Sequence, residues 1–195
     1  VRLVAQGNTS VGSVSMEGNG NLEESELTGT GFVTVEIPAG AEVTLNGDFD
    51  EVNVEAGGAN VSVAGGNINS MNIAENAAGA GINLASGASV TTLNANAASN
   101  ISGQGRITNA NVNVNGVILE QTPSKLTVAD GVNTTVNNET IEGEALNTPT
   151  GNAGATGGSQ PAAVSAVAIT TAPVDVSGLA HDAGNVTVTL STTTS

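Results

Sequence analysis

Few residues in this chain could do chemistry, and their spacing narrows what that chemistry would be. The densest acidic group is Asp48, Asp50 and Glu51, in the run GDFDEV. Side chains alternate between the two faces of an extended strand, so Asp48 and Asp50 share a face and Glu51 points away. Paired carboxylates on one face are what a glycoside hydrolase uses as acid and base or nucleophile. They are also the oxygen ligands of a hard divalent cation. One repeat further on, the aligned residues are Asn67, Asn69 and Ser70, so no acid ladder builds up, although Glu36, Glu42 and Glu55 add nearby charge. A solvated acidic corner is the expectation here, with weak Ca²⁺ binding as the sharper alternative. A second acidic group, Glu23, Glu24 and Glu26, stands beside Asn19 and Asn21 and reads as a charged loop guarding one end.

The basic side chains are Arg2, Arg106, Lys125 and His181. Polysaccharide lyases built on solenoids pair a basic proton abstractor with acidic Ca²⁺ ligands. No acidic cluster accompanies Arg106 or Lys125 in the sequence, so an exposed or ion-paired role is expected for both. His181, followed by Asp182, is a single imidazole in a chain without Cys, which is too little for a transition-metal site. No G-x-S-x-G elbow supplies a serine nucleophile for it. Asn-x-Ser/Thr triplets at Asn8, Asn60, Asn100, Asn133, Asn138 and Asn185 arise readily in a chain rich in Asn and Thr. The residues therefore assign no catalytic, cofactor or metal site, and a non-enzymatic role is the expectation.

Composition points the same way. The chain has 195 residues, with 3 Lys plus Arg against 18 Asp plus Glu, a formal charge of −15, no Cys, Trp or Tyr, and 2 Phe. Nucleic-acid binding is excluded, because it needs cations for phosphate and aromatic rings for stacking. Disulfides and thiolate metal sites are impossible. No apolar run approaches the ~18 residues of a membrane span. No secretory leader opens the sequence, which leads to the expectation of a processed chain or a fragment. With so few aromatics, burial must come from Val, Ile, Leu and Ala, which suit narrow layers between pleated strands.

The elements that carry these residues are strands. The runs FVTVEI, EVTL, EVNV, NVSV, INLA and NVNV alternate apolar and polar residues, and no stretch of ten residues keeps a helical period. The alternation repeats. A column of pairs runs Val14/Met16, Val33/Val35, Val52/Val54, Met71/Ile73, Leu93/Ala95 and Ala110/Val112. A second runs Leu27, Val43/Leu45, Val61/Val63, Ile82/Leu84 and Ile101. A third holds Phe49, Ile68, Val90 and Ile107. Turns rich in Gly and Asn separate them, at residues 38–41, 46–48, 56–59, 64–67, 85–88 and 102–105. Each period thus reads as strand, turn, strand, turn, short strand, turn. A step of about 19 residues falls in the solenoid range. The fold expected is all-β, a right-handed parallel β-helix of roughly seven coils, with Val33, Val52 and Met71 vertically superposed. Alternating Asn109, Asn111, Asn113 and Asn115 point outward, where Asn can bond from coil to coil or simply fill a solvated face.

The sequence divides into an N-terminal edge segment (1–9), the solenoid (10–146), a linker rich in Gly, Thr and Ala (147–163) and a segment of two or three alternating strands (164–195). Leu126 and Val128 are expected in a final coil. The last segment reads either as the start of an Ig-like sandwich or as strands donated to a neighbouring chain.

The stretch GASVTTLNANAASNISGQGRITNANVNVNGVILEQTP (87–123) resembles the β-solenoid region of large bacterial surface-layer proteins that carry S-layer homology domains. AVSAVAITTAPVDVSGLAHDAGNVTVTL, beginning at Ala163, resembles the start of the Ig-like domains that follow such regions. The resemblance implies an extracellular, self-assembling structural protein of the bacterial cell surface. Its partners would be lattice or fibre neighbours of its own kind, other modules of the same precursor, and cell-wall polymer. No S-layer homology anchoring motif occurs in the chain. The alternative weighed against it is a carbohydrate-binding or polysaccharide-processing β-helix of the adhesin or tail-fibre type, which the lack of Tyr and Trp disfavours.

Overall fold

The computed structural model describes residues 1–144. The expected linker, the 164–195 segment and His181 lie outside the described residues. Those described hold fifteen strands and no helix. In chain order they are β1 (Arg2–Gly7), β2 (Ser10–Ser15), β3 (Gly20–Leu27), β4 (Gly31–Ile37), β5 (Glu42–Asn46), β6 (Phe49–Val54), β7 (Asn60–Ile73) and β8 (Ala80–Leu84). Then follow β9 (Ala88–Ala95), β10 (Ser99–Gly103), β11 (Arg106–Val112), β12 (Val117–Leu119), β13 (Lys125–Val128), β14 (Asn133–Val136) and β15 (Glu139–Glu142).

Parallel pairing needs a crossover between neighbouring strands, and here the crossover is a strand of the opposite layer. One layer stacks β1, β3, β5, the first part of β7, β8, β10, β12 and β14. The other stacks β2, β4, β6, the second part of β7, β9, β11 and β13. The result is a parallel β-solenoid of about seven turns, with equivalent residues roughly 19 apart. At the usual strand spacing the stack is about 30 Å long. Residues 1–9, set apart in the sequence as an edge segment, contain β1, which pairs in parallel with β3 as the first rung.

The interior is a set of aliphatic columns. Val43, Val61, Ile82 and Ile101 superpose, as do Leu22, Leu45, Val63 and Leu84. In the second layer Val14, Val35, Val52, Met71, Leu93, Ala110 and Leu126 form one column. No coil could bury these side chains alone; stacking supplies the cover. The expected final coil is present, with Leu126 over Ala110 and Val128 over Val112.

Three details of the expected repeat are corrected. Val35 and Ile37, not Val33 and Val35, pair with Val52 and Val54. Val14 accordingly pairs with Val35. All three of Val33, Val35 and Ile37 share one parity, so a slip of two residues leaves an equally apolar pattern. What selects the observed register is Phe32, which is buried and stacks on Phe49 with ring centroids 6.3 Å apart and an interplanar angle of 9°. Two rings in contact bury more area than any aliphatic pair available there. Next, Leu22 rather than Leu27 lies under Leu45. Leu27 follows Glu26, whose φ of 50° bends the end of β3, and it pairs with Gly7 after a break in register.

Finally, the third short strand is not separate: β6, β9 and β11 each carry the third-column residue and the next pair together. The pairing instead skips one residue at the same place in successive coils. Phe49 pairs with Ile68 and Glu51 with Ser70, while Asp50 and Asn69 are passed over. Ile68 pairs with Val90 and Ser70 with Thr92. Val90 pairs with Ile107 and Thr92 with Asn109. That extra residue lets both Phe49 and Val52 face inward, three positions apart, and turns the strand through a corner.

The last rung is closed differently. β15 pairs antiparallel with β14 through a two-residue turn at Asn137 and Asn138, with φ of 49° and 65°. Positive φ at both positions is the hairpin turn that matches strand twist, and Asn tolerates it better than most residues.

Candidate functional site

The organised polar surface of the solenoid is the outer face of its second layer. Outward positions of β6, β7, β9 and β11 put Asn53, Asn72, Asn94 and Asn111 in one column. An amide has a donor end and an acceptor end, so a column of Asn can bond head to tail. The Asn72 Nδ2 donates to Asn53 Oδ1 (2.9 Å), Asn94 Nδ2 to Asn72 Oδ1 (2.7 Å) and Asn111 Nδ2 to Asn94 Oδ1 (2.8 Å). These partners are 19, 22 and 17 residues apart, so each bond joins two coils. Asn113 repeats the contact to Asn96 at 2.7 Å.

Of the four Asn singled out in the sequence, Asn111 and Asn113 thus belong to coil-to-coil ladders. Asn109 instead donates to the Thr91 carbonyl oxygen (3.1 Å), and Asn115 Oδ1 accepts the Asn133 backbone N–H (2.7 Å). The longer ladder through Asn53, Asn72 and Asn94 was not singled out. Its signal was available: an Asn next to the inward pair in four successive periods.

The acidic corner is tied into the same network. Asp48, Asp50 and Glu51 all point outward, because the corner residue changes the alternation there. Asp48 Oδ1 accepts the Asn67 backbone N–H at 2.8 Å. Asp50 Oδ1 accepts Asn69 Nδ2 at 2.9 Å, and Glu51 Oε1 accepts Asn72 Nδ2 at 3.0 Å. Asn67 and Asn69, aligned as expected, act as donors to Asp48 and Asp50, whereas Ser70, aligned with Glu51, does not, and Asn72 donates to Glu51 in its place. Among the described residues, no three of His, Cys, Asp and Glu converge as a metal site.

Glu24 is the carboxylate the sequence reading assigned wrongly. Expected in a charged loop, it is half-buried and braces two turns. One oxygen accepts the Phe32 backbone N–H (2.7 Å) and the other the Asp48 backbone N–H (3.0 Å). Burial raises its pKa above the ordinary carboxyl value of 4.5; the two backbone donors oppose this, and the charges of Asp48 and Asp50 add to it. Its neighbour Glu23 holds the guanidinium of Arg2 at 2.6 Å, the one ion pair among the described residues. Arg106 and Lys125 are exposed at strand starts, Arg106 beside Ser89 and Lys125 beside Asn109.

An open groove of about 720 Å³ lies over the first layer. Arg2, Asn21, Glu42, Thr44, Asn60 and Ser62 supply its polar lining, with no aromatic side chain. Inside the stack, Ser99 follows Ala80 in an inward column, and its hydroxyl is buried with no partner. Thr134, also buried, donates its hydroxyl to the Val117 carbonyl oxygen at 2.8 Å.

No family model matches the chain, and no curated protein matches it. Among solved structures, it is similar to chitinase ChiW from Paenibacillus sp. str. FPU-7, described as a bacterial cell-surface-expressed multi-modular enzyme machinery. The identity is 36% and the TM-score 0.62, over 80% of this chain and 14% of that one. The likeness therefore joins this solenoid to one segment of a much longer, multi-modular surface protein.

Proposed function

We propose that the chain is a structural module of a bacterial cell-surface protein, an acidic β-solenoid that holds neighbouring modules at a fixed distance. The observation that carries this reading is the unbroken rung-on-rung pairing, joined to a likeness with one segment of a cell-surface protein. Each coil contacts its neighbours through backbone pairs and an aliphatic interior, and Asn ladders add to these in the second layer from Asn53 to Asn111. Bending the stack would break all three together, so the module is stiff along its axis. Its organised polar groups bond to one another from coil to coil, and this favours a supporting role over turnover of a substrate. The resemblance to surface-layer solenoids supports an extracellular location and assembly with copies of itself.

The test is direct. Antibodies against residues 1–144 are applied to intact source cells, and the purified protein is imaged by electron microscopy. Labelling of unbroken cells and the growth of sheets or filaments are expected. Label confined to lysed cells overturns the surface location, and a dispersed monomer at all concentrations overturns self-assembly. Chitin and uronic-acid polymers are assayed alongside, and cleavage of either contradicts a purely structural role.

A further inference from the structure

An asparagine followed by glycine can modify itself. The glycine backbone nitrogen attacks the asparagine Cγ, and a cyclic imide forms as ammonia leaves. Glycine favours the attack because no Cβ shields its nitrogen. The chain holds three such pairs, Asn19–Gly20, Asn46–Gly47 and Asn115–Gly116. Two things promote the reaction: a backbone nitrogen free to move onto Cγ, and a donor aimed at Oδ1, where negative charge develops during the attack.

The solenoid treats the three pairs differently. Asn46 is held in β5 opposite Gly65, and the Gly47 N–H donates to the Gly65 carbonyl oxygen at 3.1 Å, so that nitrogen is engaged in the rung. Asn19 has the donor, because its Oδ1 accepts the Glu42 backbone N–H at 2.8 Å. Its glycine, however, is the first residue of β3 and is paired with Val43. Asn115 and Gly116 are both exposed and lie outside the strands, in the turn between β11 and β12. Among the described residues the Gly116 N–H donates to no acceptor. Asn115 Oδ1 accepts the Asn133 backbone N–H at 2.7 Å, which draws electron density away from Cγ. Only this pair combines a free nitrogen with a polarised amide.

We propose that Asn115–Gly116 is a site of intramolecular deamidation, with the Asn133 N–H stabilising the oxyanion of the attack. The step needs no reagent but water. The N–Cγ bond forms as the Cγ–Nδ2 bond breaks, and the proton of the Gly116 N–H leaves with Nδ2 as ammonia. Water then opens the imide at either carbonyl. One product is aspartate, which keeps an oxygen for Asn133 and adds a charge to the bond. The other is isoaspartate, which routes the main chain through Cβ and Cγ and so lengthens the turn ahead of β12. This chemistry is independent of the surface-module reading.

The experiment incubates the full chain in warm, mildly alkaline buffer, folded and in parallel in concentrated urea. Cleavage after glutamate puts the three pairs on separate peptides, since Glu17, Glu42 and Glu75 precede them and Glu23, Glu51 and Glu120 follow. Mass spectrometry then reads the replacement of NH2 by OH at each asparagine. In urea the three are expected to react at similar rates. In the folded protein Asn19 and Asn46 should slow at least about tenfold, because the fold must open locally first, while Asn115 keeps its urea rate or exceeds it. Slowing of Asn115 as great as that of the other two overturns the proposal. So does a folded Asn19 or Asn46 that reacts as fast as Asn115. Asn115→Gln, whose longer side chain disfavours imide closure, should abolish the modified peptide; its persistence would place the reaction elsewhere and overturn the assignment.

Discussion

The first coil and the middle coils are made of the same parts and differ in one respect: the middle is covered on both sides. Leu93 is 1% exposed and lies between Met71 and Ala110, whereas Leu3 has Leu22 on one side and solvent on the other. The outer columns differ likewise. Asn72 bonds upward to Asn94 and downward to Asn53, while Ser15, in the same column through Glu36 and Asn53, begins the row. In a solenoid the energy of a residue depends on how many rungs flank it more than on its type. The closed end makes the same point, because β14 gains its second neighbour from a hairpin rather than from another coil.

The sharpest way to break this comparison is to exchange equivalent side chains. Gly66→Ala should be the most damaging. Gly66 has φ +88°, and an added Cβ would collide with the Gly47 carbonyl of the coil below. A cost of about 3 kcal/mol or more is expected, from strain plus displacement of a stacked backbone. At the open end, Gly7 has φ +58° with nothing within 4 Å of the added atom, so Gly7→Ala should cost only about 1 kcal/mol. Urea denaturation of both variants measures the difference, and equal costs would mean that the coils do not stack as described.

Leu93→Ala comes next. A fully covered leucine leaves a cavity and costs about 2–5 kcal/mol. Leu3→Ala, already open to solvent, should cost less than about 1 kcal/mol.

Asn72→Ala removes bonds to Asn53, Asn94 and Glu51 on a half-buried face, and about 1–2 kcal/mol is expected from thermal unfolding. Ser15→Ala, at the start of that column, should change stability by less than about 0.5 kcal/mol. The two positions test whether the ladder stabilises only where it is continuous.

How far the sequence carried this picture depended on the kind of information. The aliphatic columns through Val43 to Ile101 and through Met71 to Ala110 were legible, because alternation and period were both regular there. Register in β4 was not, since Val33, Val35 and Ile37 fit either alignment and the decision rested on a ring stack between distant residues. The skipped corner at Asp50 was hidden for a related reason: one extra residue inverts the facing, and local alternation does not announce it. The acidic corner was found by its composition. Its bonding to Asn67 and Asn69 follows from the alignment of coils, whereas Asn72, which bonds Glu51 in place of the aligned Ser70, lies outside that alignment. Glu24 was misread because its partners are backbone N–H groups 8 and 24 residues away.

Acid titration sharpens the same contrast, with a smaller effect. Burial lifts the Glu24 pKa in the folded protein, so the fold binds that proton more tightly than the unfolded chain does. Its contribution is present below the ordinary value of 4.5 and is lost as pH rises through the raised value. Glu24→Gln removes this dependence. The stability of the parent relative to the variant should fall as pH rises from acid toward neutral, read from urea midpoints across that range. A rising or flat difference would contradict the burial assigned to Glu24.

Ser99→Ala should be the mildest change. It removes a buried hydroxyl that has no partner, so a neutral or slightly stabilising result is expected, up to about 1 kcal/mol. A loss of more than that would show a hydrogen bond the described contacts lack.

The central claim is that residues one period apart lie directly above one another, and the absence of cysteine allows it to be tested cleanly. Ser70 and Thr92 are rung partners on the outer face of β7 and β9. Adjacent strands bring Cα atoms within disulfide reach. The double variant Ser70→Cys/Thr92→Cys should close an intramolecular disulfide on mild oxidation, detected by mass and by migration in a non-reducing gel. Ser70→Cys combined with Val114→Cys, two rungs up in the turn that follows β11, should remain reduced. Failure of the first pair to close, or equal closure of both, would contradict the stacked-coil account.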